Sequence, residues 1–325
     1  MNGEKVVVSR QIPPQALSVI KQQADVFLWE SEEVPIPRDV LLRECREAVG
    51  IFATLTERID EEFLSNAPNL KVISNMAVGV DNIDVAATTR RGIPVGHTPG
   101  VLTETTADLT FALLLASARR VVEGADLVRQ GNWKTWSPMM MTGQDIFGAT
   151  IGIIGMGRIG EAVAKRATGF SMRILYHNRT RRPEVEQSLG ATYCSLEELL
   201  KQSDFVVVLT PSTAETHHLI GKKELHLMKS TAVLINTSRG SNVDEKALYG
   251  ALQDGVIWGA GLDVFEQEPI GADHPLLSLE NVVPLPHIGS ASIATRTNMA
   301  LLAAKNLIAG IQGEKLLHTV NPEVY

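Results

Sequence analysis

The 325-residue chain has only two cysteines, Cys45 and Cys194, far apart and outside any CxxC pattern. A disulfide framework and a zinc ribbon are thereby excluded, no metal is expected, and a reducing, cytoplasmic compartment is indicated. There is no basic excess. Lys and Arg number 30 against 37 Asp and Glu, a net charge of −7, so no broad positive face exists for a phosphate backbone and nucleic acid is not an expected partner. No apolar run reaches the roughly 18 residues that a bilayer span requires. Met1–Arg10 lacks the apolar core and cleavage site of a secretory leader, so neither export nor a membrane is expected. Short internal repeats and low-complexity segments are also lacking.

What is present is an ordinary soluble composition, 44% hydrophobic and 21% charged, at a length that suits two domains. Short apolar, β-rich runs alternate with helical patterns. Lys5–Val8, Val26–Trp29, Val49–Phe52, Val72–Asn75 and Ile93–Gly96 read as buried strands, with Pro14–Gln23, Arg38–Glu44 and Glu61–Ala67 helical between them. A second series starts near Ala149: Ala149–Ile154, Arg173–His177, Phe205–Leu209, Ala232–Asn236, Ile257–Leu262 and Val282–Leu285, with helices including Arg158–Thr168, Leu196–Lys201 and Glu245–Gln253. This alternation predicts an α/β protein with doubly wound parallel sheets. Long apolar helices, about Glu104–Gly124 and Asn298–Gly310, bracket the second series. They suggest that 101–289 is inserted into a domain made of 1–100 plus 290–325, with two crossings forming a hinge over a cleft. Two domains in simple series fit the pattern equally well.

Gly155-x-Gly157-x-x-Gly160 follows the apolar run Ile151–Ile154 and opens the helical stretch Arg158–Thr168. A GxGxxG alone is weak, but strand–turn–helix is the context that a dinucleotide fingerprint requires. Gly155 permits the turn, Gly157 lets backbone approach a pyrophosphate, and Gly160 allows close helix packing. The backbone N–H groups of Arg158, Ile159 and Gly160 then face the phosphates. An NAD site usually places an acid about 20 residues on, at the ribose 2′-hydroxyl. Here the segment reads Tyr176-His-Asn178-Arg179-Thr180-Arg181-Arg182, without an acid. Guanidinium groups can pair with a 2′-phosphate, so NADPH/NADP is preferred over NADH/NAD, with Asn178, Arg179, Thr180 and Arg182 as its contacts. The alternative is a solvated basic turn.

Reduction of a 2-keto acid needs a hydride donor, a cation at the keto oxygen and an acid for the developing alkoxide. Three residues follow three separate strands of the second series: Arg239 in Asn236-Thr-Ser-Arg239-Gly240, Glu268 in Glu268-Pro269, and His287 in Pro286-His287-Ile-Gly289. Each alone reads as an ordinary loop residue. Together they lie at one sheet edge, where open α/β sheets bind ligands. Glu268 bonded to His287 would favour the proton-donating imidazolium, and Arg239 would stabilise the oxyanion.

These motifs, with Gly261-Leu-Asp263-Val-Phe, resemble the D-isomer-specific 2-hydroxyacid dehydrogenase family over nearly the whole chain. The resemblance implies a Rossmann coenzyme domain inserted into a flavodoxin-like substrate domain. It implies Arg239 for substrate binding, Glu268 for orienting the histidine, and His287 as acid/base. It also implies that the backbone of Val78 and Gly79, in Ala77-Val78-Gly79-Val80-Asp81, binds the substrate carboxylate. Thr106, Pro211, Thr216, Thr237, Ser290 and His287 would lie at the cofactor, and Asp263 would bond the nicotinamide carboxamide.

Within the family, Gly131-Asn-Trp133-Lys-Thr-Trp136-Ser-Pro138 is similar to glyoxylate/hydroxypyruvate reductases, whose aromatic loop reaches the neighbouring active site. A homodimer through the coenzyme domain, with Trp136 walling the pocket, is the implied partner arrangement. Trp133 and Trp136 anchoring a loop in their own core is the bland alternative. Met139-Met-Met141 departs from a more aromatic stretch in relatives and opens the question of substrate size. 2-Ketogluconate reductases share the same motifs. A dinucleotide-sensing corepressor of this fold is the reading from another class, and it would not need the set Arg239, Glu268 and His287. Formate dehydrogenases of this fold pair their histidine with Gln, whereas this chain has Glu268.

Overall fold

A computed structural model describes residues 4–325. The chain divides into two compact units: one runs to Leu102 and resumes over Ala291–Tyr325, and the other is Thr103–Ser290.

The first unit contains β1 (Lys5–Val8), α1 (Pro14–Lys21), β2 (Asp25–Leu28), α2 (Arg38–Cys45), β3 (Gly50–Ala53), α3 (Glu61–Asn66), β4 (Val72–Asn75), α4 (Val85–Arg90) and β5 (Val95–Gly96). Its five strands are parallel in the order β2-β1-β3-β4-β5, the flavodoxin-like arrangement. Helices cover both faces, so Val6, Val7 and Val8 are all fully buried, which explains a strand that is apolar throughout rather than alternating. Asp60 and Asp84 cap α3 and α4 by accepting the backbone N–H of Phe63 and Ala87. The chain's last helix, Ile293–Ile311, packs on this sheet, and Ser74 Oγ donates to the Ala303 carbonyl at 2.7 Å.

The second unit contains α5 (Thr103–Ala118), α6 (Val121–Arg129), β6 (Thr150–Ile154), α7 (Arg158–Thr168), β7 (Arg173–His177), α8 (Pro183–Leu189), β8 (Thr192–Tyr193), α9 (Leu196–Gln202), β9 (Phe205–Val208), α10 (Lys222–Leu227), β10 (Val233–Asn236), α11 (Glu245–Gln253), β11 (Gly259–Leu262) and β12 (Val282–Pro284). Its seven strands are parallel in the order β8-β7-β6-β9-β10-β11-β12. That is the Rossmann order with one added edge strand, and the direction of winding reverses between β6 and β9. Clusters on the two faces of the sheet, one around Ile151, Val163 and Val207 and one around Leu199, Val206 and Leu234, form its core.

Several elements differ from the sequence expectation, each for a local reason. The strand expected at Ile93–Gly96 is reduced to Val95–Gly96, since Pro94 has no N–H to give a ladder. The helix expected over Glu104–Gly124 stops at Ala118 and restarts as α6, with Arg120 in a left-handed conformation at φ 51°. The cause is competition for a carbonyl: Gln144 N–H donates to Ala118 O at 2.8 Å. The helix expected from Asn298 starts at Ile293, because Ser292 caps it through the Thr295 N–H. α4, α8, α10 and β8 have no expected counterpart. They are short and polar, so they carry no clear period. No helix among the described residues is long and apolar enough to cross a membrane.

Candidate active site

The glycine turn lies at the reversal point of the second sheet. Gly155 has φ +103°, and a Cβ there would lie 2.8 Å from the Leu209 carbonyl carbon. The turn is therefore pressed against the end of β9, and only glycine fits. Gly157 is different: a Cβ there meets nothing within 4 Å. The backbone there is open to close approach. Gly157 also begins α7 without a side-chain cap. By helix geometry the N–H groups of Arg158, Ile159 and Gly160 have no intrahelical acceptor and present partial positive charge. A pyrophosphate suits this cradle.

After β7, Arg179 and Thr180 are exposed, and Asn178 Nδ2 donates to the Thr180 carbonyl at 2.8 Å. The arginines are not equivalent. Arg181 is bound by Glu186. Arg182 pairs with Glu184 and Glu161 and donates to the Met156 carbonyl inside the glycine turn at 2.9 Å. Arg179 makes no ion pair among the described residues. After β9, the Thr216 hydroxyl donates to the Pro211 carbonyl at 2.7 Å and closes that loop.

Asn236 ends β10 and braces the loop that follows. Its Nδ2 donates to the Arg239 carbonyl at 2.8 Å, and its Oδ1 accepts from the N–H and hydroxyl of Ser238. Thr237 is buried, with its hydroxyl 2.7 Å from that of Thr110 on α5. Arg239 is half-buried and donates through Nη1 to the Ser238 carbonyl at 2.7 Å.

The loops after β11 and β12 meet at His287. Its Nδ1 lies 2.7 Å from Glu268 Oε2, while Glu268 Oε1 accepts the Phe265 N–H at 2.9 Å. A carboxylate can only accept, so Nδ1 carries the proton of this bond. Nε2 has no protein partner among the described residues. Burial pushes the Glu268 carboxyl upward, but the bond and charge of His287, the Phe265 N–H and the Arg239 charge outweigh it and hold it below the usual range. His287 itself has φ 54°, a left-handed backbone. Asp263 stabilises that turn: its two oxygens accept the N–H groups of Ile288 and Gly289 at 2.8 and 2.7 Å. Burial raises the Asp263 carboxyl despite those two bonds. A Cβ on Gly289 would approach both Asp263 and Thr106, which places Thr106 beside this turn, next to Ser290.

In the first unit, the loop after β4 has its carbonyls taken up by protein. Ala77 O accepts from Thr98 N–H, Val78 O from His97 Nδ1, and Gly79 O from Asn75 Nδ2. The N–H groups of Val78 and Gly79 have no acceptor among the described residues. Backbone amides left without a protein acceptor can serve an anion.

The family model described as "D-isomer specific 2-hydroxyacid dehydrogenase, NAD binding domain" matches residues 111–289. The chain belongs to this family. The dehydrogenase is 54% identical over 321 residues to the glyoxylate reductase of Korarchaeum cryptofilum, covering 98% of this chain and 96% of that one. Among solved structures it is similar to the TT0316 protein of Thermus thermophilus, with TM-score 0.91, 48% identity, and 97% and 99% of the two chains covered. It is also similar to an NADPH-dependent glyoxylate/hydroxypyruvate reductase from Sinorhizobium meliloti in complex with NADP and malonate, with TM-score 0.84, 36% identity, and 99% and 97% covered. The protein is thus an oxidoreductase that uses a nicotinamide dinucleotide on the 2-keto acid/2-hydroxy acid pair.

The dehydrogenase brings Arg239, Glu268, His287 and Asp263 to the carboxyl edge of one sheet, alongside the glycine turn. Trp136 is 72% exposed, and Trp133 is exposed too. Neither anchors the loop in its own core. Residues that sequence reasoning passed over are the braces, Asn75 and Asn236. Their signal was an asparagine closing an apolar strand just before a proposed ligand loop, a residue type that favours local side-chain-to-backbone bonds.

Proposed function

We propose that the protein is an NADPH-dependent reductase of small 2-keto acids, glyoxylate and hydroxypyruvate among them, giving the D-2-hydroxy acid, with His287 as general acid. The observation that carries this reading is the Glu268–His287 pair at 2.7 Å, its carboxylate fixed by a second bond, at the sheet edge that also presents Arg239. The unit closed by the last helix is the substrate domain, and the inserted unit is the coenzyme domain.

The backbone N–H groups of Val78 and Gly79 bind the substrate carboxylate. Arg239, always charged, binds the substrate and polarises the keto oxygen. The reduced nicotinamide, when bound, supplies hydride to C2. His287 Nε2 delivers the proton to the alkoxide, and Glu268 holds the ring and its Nδ1–H. Gly155, Gly157, Arg158, Ile159 and Gly160 hold the pyrophosphate. Pro211, Thr216, Thr237, Thr106 and Ser290 line the remaining cofactor path, and Asp263 meets the carboxamide while retaining its two backbone bonds. A carboxylate oxygen has lone pairs enough for both tasks.

NADPH is favoured by the absence of an acid directly after β7 and by the exposed Arg179, which makes no ion pair among the described residues, beside Asn178 and Thr180. The relatives named for glyoxylate and for NADPH support both choices. Incubating the protein with NADPH or NADH and with glyoxylate, hydroxypyruvate or 2-ketogluconate tests this reading through loss of reduced-nicotinamide absorbance. Turnover of the two smaller acids with NADPH is expected. Oxidation of neither cofactor with any of the three acids overturns the assignment.

The same reading includes a cytoplasmic homodimer through the coenzyme domain. α6 has no buried residue, and Val121, Val128, Trp133, Trp136, Met139 and Phe147 are all exposed in and after it. A second copy covering this apolar surface accounts for it. Sedimentation should give a dimer, and a monomer at micromolar concentration rules the dimer out.

A further inference from the structure

The basic loop after β7 contains three arginines, and among the described residues three carboxylates form ion pairs with only two of them, while Arg179 is felt at longer range by Glu215. Tyr176 lies at the centre of this asymmetry. Among the described residues it is the largest fully buried side chain, and its hydroxyl reaches the underside of the loop. That hydroxyl accepts the Arg182 N–H at 2.7 Å and donates to Glu186 Oε1 at 2.7 Å. Glu186 in turn holds Arg181 through both oxygens, Nε to Oε1 and Nη2 to Oε2, each at 2.7 Å. Tyr193 packs edge-on against Tyr176 at 5.4 Å, lies under Arg181 at 6.0 Å, and directs its hydroxyl to the Asn178 carbonyl at 3.4 Å. Arg182 continues the chain of bonds to Glu184, to Glu161 in the first turn of α7, and to the Met156 carbonyl.

We propose that Tyr176 and Glu186 are positioning residues for cofactor selection: they lock Arg181 and Arg182 into the loop's own structure and hold Arg179 as the one guanidinium offered to a 2′-phosphate. This rests on the NADPH reading above and adds to it a division of labour among the arginines. Arg182 acts as a brace between the glycine turn and the basic loop, and its other nitrogens are committed. The Arg181–Glu186 fork is bidentate, the geometry that best fixes a guanidinium. Arg181 and the Tyr176 hydroxyl pull the Glu186 carboxyl down to about 2, so the fork stays charged at any assay pH. Without the tyrosine hydroxyl, the N–H of Arg182 and the inner face of Glu186 lose their shared partner. The loop from Asn178 to Arg182 then has more conformations to lose on binding a 2′-phosphate.

The test is the ratio of dissociation constants for NADPH and NADH, measured by protein-fluorescence quenching, with 2′-AMP as a competing probe of the phosphate site alone. Wild type is compared with Tyr176→Phe, Glu186→Gln and Arg179→Gln. Phe keeps the buried ring, and Gln keeps the shape of the half-buried Glu186, so the fold survives at least one of these changes. Wild type should prefer NADPH, and Arg179→Gln should abolish that preference. Tyr176→Phe and Glu186→Gln should each reduce the preference about fivefold, with NADH binding within about twofold of wild type. An unchanged ratio in both variants overturns the proposal while leaving the NADPH reading intact. Equal weakening of both cofactors also overturns it, since that is the mark of a merely structural tyrosine. A wild type that binds NADPH and NADH alike overturns the NADPH reading itself, and the proposal with it.

Discussion

Gly240 and Phe265 meet backbone to backbone. A Cβ at 240 would lie 1.8 Å from the Phe265 carbonyl carbon and 2.0 Å from its oxygen. The loop carrying Arg239 is thus seated directly on the loop that leads to Glu268, and the guanidinium and the carboxylate share one foundation. Gly240→Ala must push the two loops apart. It should cost about 2–3 kcal/mol of stability and lower kcat/KM by a factor on the order of 10 or more. Urea unfolding together with steady-state kinetics checks this. Wild-type values in both would show that the contact is dispensable.

The pair Glu268–His287 makes two expectations. His287→Ala should lower kcat by a factor on the order of 10² or more with NADPH binding little changed. Glu268→Gln keeps an acceptor near Nδ1 and removes the negative charge. The pH at which reduction begins to fade should therefore move down in that variant. In wild type, the Glu268 carboxyl is held below its ordinary value, so its stabilising charge is complete above the ordinary glutamate range. It is lost only as pH falls through the lowered value. Identical pH–rate profiles for wild type and Glu268→Gln would remove Glu268 from the mechanism.

Asp263 carries the opposite sign. Burial holds its carboxyl above the ordinary range, so its contribution to stability is complete below the ordinary aspartate value and fades as pH rises through the raised one. Asp263→Asn removes that titration. Its unfolding midpoint should vary less than wild type's as pH rises from the ordinary aspartate range. The amide also turns an NH2 toward one of two backbone N–H groups, which loosens the left-handed turn at His287, so kcat should fall at least about tenfold. Equal pH dependence of the two midpoints would contradict this account.

Asn75 offers a test confined to the substrate side. It is fully buried, and it bonds both the Gly79 carbonyl and Asn82, which in turn holds the Thr54 and Glu57 carbonyls. Asn75→Ala should release the Val78–Gly79 amides from their fixed aim. KM for the keto acid should rise about tenfold while NADPH affinity stays the same. A larger effect on NADPH than on the keto acid would refute the assignment of that loop to substrate.

Much of this was legible in the residues themselves. Strands buried on both faces read as unbroken apolar runs, so β1, β3, β6 and β9 were plain, and strand-end residues follow from strand positions. The pairing of Glu268 with His287 was legible only because both follow strands of one sheet. What stayed hidden depends on long-range competition. Nothing local to Ala118 says that Gln144 takes its carbonyl and ends α5. Similarly, Arg179, Arg181 and Arg182 are chemically alike in sequence. The carboxylates of α8, Glu184 and Glu186, with Glu161 of α7, tell them apart.

The capture of the Ala118 carbonyl by Gln144 gives the segment between them a distinct status. It leaves and rejoins the unit at one helix end, and its α6 buries no residue. No strand register and no sheet-edge loop runs through it. Changing its length therefore leaves Arg239, Glu268 and His287 in place within their own unit, and the change falls instead on the apolar surface assigned to the second copy. Its sequence thus answers to what the surface meets, whereas the strand-end loops answer to the sheet.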